Sequence, residues 1–259
     1  MISLSIDGGI AEIVLDAPYK LNSLDEQALR DLSKAYDDAA AAASRGEVRA
    51  LLLRGEGRAF CAGRDIAGVT PETDDVQGYL GGLLQPLLKK MSEFPAPTFA
   101  AAQGACLGVG LGLLLATDVV YVAENAKFGS PFANLGATLD SGGHWYFTER
   151  LGMHRTLDLI YTAELMSGAE AVAQGMFSRA MPAAELLEST RAIVAKAATG
   201  ATSAFNASKE LVAHIRDQRL GLWESMAEEN AEQARLCKTE DYSEGFRAFQ
   251  EKRRPVFKG

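Results

Sequence analysis

The chain has 259 residues, of which 47% are hydrophobic and 23% charged, with a formal net charge of −8. This balance supports a sizeable core and excludes a mainly disordered chain, and the lack of any basic cluster beyond EKRR at 251–254 argues against nucleic acid as a partner. The longest apolar run, 98–120, is broken by Gln103 and several glycines and reads as buried core, so no membrane span is expected.

LSIDGGIAEIVLD at 4–16 alternates around Gly8-Gly9 and predicts a hairpin. From Asp25 to Ala43, apolar residues at Ala28, Leu29, Leu32, Ala35, Tyr36 and Ala39 form a helical stripe. Residues 49–54, RALLLR, read as a buried strand, and 55–65, GEGRAFCAGRD, as a glycine-rich turn. Residues 71–80 are polar and predict a surface loop leading into a helix that ends near Phe94. PAPTFAAAQG at 95–104 reads as extended, Leu107 to Ala116 as a helix, and Asp118 to Ala123 as a strand. Beyond Ser141 the pattern is almost wholly helical, and from Ala201 it is amphipathic and strongly charged. The expected fold class is α/β, with a core over 1–200 and a helical region over 201–259.

Two glycine-rich segments can present backbone N–H groups. CLGVGLG at 106–112 opens an apolar helix, but its G-x-G-x-G spacing and the early Glu124 do not fit a dinucleotide fingerprint. GRAFCAGRD at 57–65 also follows a buried strand, and donors from two loops are what an oxyanion hole requires. His144, His154 and His214 match no zinc spacing, and Cys61, Cys106 and Cys237 form neither a metal pattern nor a disulfide framework. No metal is expected. The cysteine usage and the absence of a basic, apolar leader fit a cytoplasmic protein. One carboxylate, Asp140 in FANLGATLDSGGHW (132–145), stands among small and apolar residues. It is either a helix N-cap or an acid whose surroundings tune its proton affinity.

These segments together resemble the crotonase (enoyl-CoA hydratase/isomerase) superfamily. The likeness is carried by APYKLNSL at 17–24, LLLRGEGRAFCAGRDI at 51–66, the stretch 97–129 and DYSEGFRAFQEKRRPVF at 241–257. It implies a spiral of ββα repeats, a C-terminal helical region used for assembly into a homotrimer or a dimer of trimers, and an acyl-CoA thioester as the ligand. Coenzyme A would be part of the substrate, and no further cofactor is implied. By the same resemblance the N–H groups of Arg64 and Val109 form the oxyanion hole. Backbone around Ala62, Asp65 and Ile66 would hold the adenine, Lys20 and Leu21 would flank the CoA, and Phe249 and Lys252 would reach a neighbour's CoA.

The chain departs from the family's hydratases at both catalytic glutamates, where it carries Gly112 and Phe132. Hydration needs a base for the water and an acid for the α-carbon, and neither residue can serve. Asp140 matches the carboxylate of family isomerases in L-G-x-x-x-D-x-G-G segments. The nearest likeness is to ring-epoxide (1,2-epoxyphenylacetyl-CoA) isomerases and the Δ3-Δ2 enoyl-CoA isomerase branch. One carboxylate suffices to move a proton along an acyl chain. Phe132, Leu135 and Trp145, with Leu139, would wall the acyl pocket and raise the acid's proton affinity. A dehalogenase branch with an aspartate here carries a tryptophan at the Phe132 position and an earlier histidine, both absent. Two alternatives stand beside the isomerase: a hydratase drawing on Glu72 or Glu149, and a non-catalytic acyl-CoA-binding subunit.

Overall fold

A computed structural model describes residues 1–259. Strands β1 (Ile2–Asp7) and β2 (Ile10–Leu15) form the expected hairpin, with Gly8 and Gly9 at φ 55° and 80°, the left-handed values a two-residue turn demands. Helix α1 (Glu26–Ser44) starts where the Asp25 carboxylate accepts the Ala28 N–H at 2.8 Å, and it buries Leu29, Leu32, Tyr36 and Ala39. β3 (Ala50–Gly55) follows, then a 3₁₀ turn at Pro71–Thr73. A π-helical turn, Gly78–Leu84, runs directly into α2 (Gln85–Ser92). The polar segment 71–80 is therefore partly wound rather than a plain loop.

β4 (Thr98–Ala102), β5 (Ala105–Leu107) and α3 (Val109–Leu115) come next, then β6 (Val119–Ala123) and β7 (Lys127–Gly129). The predicted helix from Leu107 starts two residues later, because Leu107 is drawn into strand pairing with Gly129. α4 (Gly143–Thr162) is interrupted at Gly152, and is followed by β8 (Met166–Ser167), α5 (Gly168–Ala173), β9 (Arg179–Met181) and α6 (Leu186–Ala198). α7 (Thr202–Gln218), α8 (Leu222–Leu236) and α9 (Glu240–Gln250) complete the chain. The stretch beyond Ser141 is thus not purely helical. β8 and β9 are two or three residues long, too short for a period of two to register.

Six strands form one sheet in the order β1-β2-β3-β4-β6-β9, parallel from β2 onward, and β5-β7-β8 form a second, smaller sheet. The chain repeatedly lays a strand in the large sheet, a strand in the small one and then a helix, as in β4-β5-α3. The same turn before it is abbreviated: β3 is followed only by two isolated bridges, Cys61 to Cys106 and Arg64 to Leu24. β4 is buried at all five residues because both faces of the large sheet are covered, which explains its unbroken apolar reading.

Asn22 fixes the entry loop against the first glycine-rich turn. It is 1% exposed, and its Oδ1 accepts the Ala17 N–H at 2.8 Å. Its Nδ2 donates to the carbonyls of Glu56, Ala59 and Phe60 at 2.9, 2.8 and 3.1 Å. Asn22→Ala would strand these groups inside the protein. A loss of about 3 kcal/mol in unfolding free energy is expected in urea titration.

Candidate active site

Cys61 N–H donates to Ala105 O and Leu107 N–H donates to Cys61 O, both at 3.0 Å, so the turn 60–65 is zipped to the segment that opens α3. The fit depends on missing side chains. A Cβ on Gly110 would stand 2.4 Å from Cys61 O, and one on Gly63 3.0 Å from Leu107 O and 3.8 Å from Val109 N. The two N–H groups singled out in the sequence are therefore brought to one place. Neither Arg64 N–H nor Val109 N–H has an acceptor within the chain. For Val109 the reason is its position in the first helical turn, where N–H groups have no intrahelical partner.

Both donors border a cleft of about 750 Å³, whose walls include Ile66, Phe132, Leu135, Leu139 and Asp140. Ala62 sits at its edge, and Ala62 N–H donates to Leu21 O at 2.9 Å, which places Leu21 and Lys20 beside it. Lys20 is held by Asp65 at 2.9 Å and Asp25 at 3.2 Å.

Asp140 does not cap α4. The N-cap is Gly142, with no side-chain bond, and Asp140 contributes only its carbonyl, which accepts Gly143 N–H at 2.7 Å. Its carboxylate has one hydrogen-bond partner in the chain, the Ser141 hydroxyl at 2.7 Å on Oδ1. Burial raises its pKa from the ordinary aspartate value, opposed by the Ser141 hydrogen bond and the Arg64 charge. Asp74 is the other carboxylate on the cleft wall. There the Arg64 guanidinium holds its pKa below the usual range, so it is kept ionised and occupied.

At the two positions where the resemblance would place glutamates, other groups fill the space. A Cβ on Gly112 would lie 2.3 Å from Ser141 Cβ, so the turn carrying Asp140 fills the space a side chain would need. The Phe132 ring lies over Gly108, 3.0 Å from where a Cβ would stand, and Gly108 itself has φ 49°. Glu149 is paired with Arg219 at 2.7 and 3.0 Å on the surface, and Glu72 is exposed; neither borders the cleft. His144 meets Thr138 at 3.1 Å and not Asp140. Burial pushes the Cys61 thiol up to about 12, which removes it as a nucleophile.

One expected pocket residue, Trp145, stands outside the cleft, and the two expected to reach a neighbour's CoA, Phe249 and Lys252, lie away from this chain's own cleft. Trp145 is 40% exposed on α4, edge-on to Tyr146 with Arg216 over its ring at 5.4 Å, because the first turn of α4 points it toward α7. Phe249, 84% exposed, borders a separate cleft against α7 and α8, and Lys252 lies exposed just beyond it. Sequence reasoning missed Asp74, Tyr79 and Asn22. Only Asn22, inside the quoted APYKLNSL, carried any signal.

The model of the enoyl-CoA hydratase/isomerase family matches residues 5–259. The chain belongs to this family. A probable enoyl-CoA hydratase of Rhodobacter capsulatus is 35% identical over 100% of this chain and 98% of its own length. The 1,2-epoxyphenylacetyl-CoA isomerase of Escherichia coli is 27% identical over 98% and 97%. The crystal structure of an enoyl-CoA hydratase from Bacillus anthracis superposes with a TM-score of 0.90 at 29% identity, covering 100% of this chain and 99% of that one. The spiral is thus the crotonase fold. Identity is higher to the hydratase than to the ring-epoxide isomerase, so whole-chain similarity gives the family and not the reaction.

Because Ser141 fills the space beside Gly112, restoring the family's glutamate should not restore hydration. Gly112→Glu is expected to destabilise the protein by roughly 1–3 kcal/mol through overpacking. It should leave crotonyl-CoA hydration unimproved when followed by loss of enoyl absorbance.

Proposed function

We propose that this protein is an acyl-CoA isomerase that moves a proton with Asp140. The observation that carries the reading is the carboxylate census of the cleft: Asp140 is raised and free on one oxygen, while Asp74 is pinned by Arg64. In this reading the ionised Asp140 takes a proton from the acyl chain. The electron pair moves onto the thioester oxygen, giving a dienolate. The N–H groups of Arg64 and Val109 stabilise that oxyanion, and the Asp140 carboxyl returns the proton to a different carbon. No atom is gained or lost, so no second acid is needed.

Binding of the CoA part is assigned by family likeness to Lys20, Leu21, Ala62, Asp65 and Ile66, and from a neighbouring copy to Phe249 and Lys252. Support for assembly as a trimer or dimer of trimers comes from the large apolar side chains exposed on α8 and α9, with Trp223 at 74% and Phe249 at 84%. The absence of Glu72 and Glu149 from the cleft weighs against a hydratase with displaced acids.

Asp140→Asn keeps the shape and removes the proton carrier. Its isomerisation rate is expected to fall by about 10²–10⁴-fold, the usual worth of a general base. Full turnover of every acyl-CoA that wild type converts would sink the role. The base must be ionised, so activity falls as pH drops through the raised pKa. The acid limb of wild type therefore lies at less acidic pH than an ordinary aspartate would give.

A further inference from the structure

The side chain of Arg64 does something its backbone does not. It meets Asp74 in a two-pronged pair, Nη1 to Oδ2 at 2.7 Å and Nη2 to Oδ1 at 2.5 Å. Both side chains are largely shielded, at 21% and 15% exposure. The guanidinium also stacks over the Tyr79 ring, with Cζ 4.3 Å from the centroid. Tyr79 is 1% exposed in the π-helical turn, and its hydroxyl donates to Leu24 O at 2.8 Å. Leu24 is itself bridged to Arg64.

Between these anchors runs segment 66–74, which is mostly exposed. Its other hydrogen bonds close within three residues: Val69 to Ile66, Thr73 to Thr70, Ala67 to the Asp65 carboxylate and Val76 to Asp74. Yet Val69 and Pro71 from this segment, with Val76 and Leu80 just after it, line the cleft together with Phe132 and Leu139. A polar, weakly tied segment presents its few apolar groups inward, and the Arg64–Asp74 pair is its long-range polar tie. A bidentate carboxylate–guanidinium pair is well suited to this task, because it fixes orientation as well as distance.

We propose that the Arg64–Asp74 pair is a positioning device that holds segment 66–74 as the outer wall of the acyl pocket and so sets selectivity for acyl chain length. The inference rests on the acyl-CoA reading of the cleft. Arg64 thereby has two parts: the N–H remains whatever the side chain, whereas the guanidinium both ties Asp74 and lowers the Asp140 pKa, so the wall is probed through Asp74.

The test compares wild type, Asp74→Asn and Asp74→Glu as full chains. Amide hydrogen exchange of residues 66–74 is followed by mass spectrometry, and kcat and KM are measured on straight-chain acyl-CoAs of increasing length. Asp74→Asn is expected to speed exchange in 66–74 and not in β3 or β4. It should raise KM roughly tenfold for the longest chains, in line with loss of a charged hydrogen-bonded pair. KM should rise less for the shortest, and kcat should change less than KM. Asp74→Glu, which keeps the carboxylate, should recover most of both effects. Unchanged exchange in Asp74→Asn, or a KM increase equal at all chain lengths, overturns the proposal. Faster exchange in a protein whose wild type turns over no acyl-CoA also overturns it, and traces the failure to the functional reading rather than to the ion pair.

Discussion

The architecture of the site depends on one close approach, that of the backbone turn 58–63 to the segment 104–110. A Cβ on Gly104 would stand 1.9 Å from Arg58 O, and one on Gly110 2.9 Å from Cys61 Sγ. No side chain fits either gap. With glycine at both places, the two turns hydrogen-bond directly, and the N–H groups of Arg64 and Val109 end unpaired at the same cleft. Backbone donors held this way need no reorganisation when charge develops near them, which is what the proposed oxyanion role requires. Asn22 braces the same region from the other side by tying the entry loop to the carbonyls of residues 56, 59 and 60.

Around this pair of donors the cleft holds two carboxylates, Asp74 and Asp140. Ser141 occupies the space beside Gly112, and the Phe132 ring covers Gly108. Phe132 adds an apolar ring to the cleft that Asp140 borders, and burial raises that carboxyl while the Ser141 hydroxyl opposes the rise. The Arg64 guanidinium works in the opposite direction, lowering both Asp140 and Asp74. Two carboxylates that line one cleft are thus driven apart in proton affinity, one paired and ionised, one desolvated.

Much of this was readable in the residues. The hairpin at Gly8-Gly9 and the α1 stripe followed from turn chemistry and periodicity, and β3 and β4 from unbroken apolar runs, the mark of strands covered on both faces. The spiral itself came from family likeness, since β5, β7, β8 and β9 are two or three residues long and defined by partners distant in sequence. Asp140 was legible as an isolated acid, but its release from capping was not: that depends on Gly142 adopting φ 79° and ending up as the cap. Trp145 looked like a pocket wall from its nearness to Asp140 in sequence. Once a helix begins at Gly143, the residues 140 and 145 no longer share a face. Asp74 lay in a run of acids without pattern, and only the fold brings it to Arg64.

The central claim is that the cleft moves a proton on an acyl thioester without adding water. The direct measurement is mass spectrometry of straight-chain, branched and aromatic acyl-CoAs incubated with the enzyme in heavy water. The account predicts deuterium incorporation into the acyl chain of a substrate, with no adduct of water, and loss of that incorporation in Asp140→Asn. Addition of water as the main product, or exchange undiminished in Asp140→Asn, would contradict it.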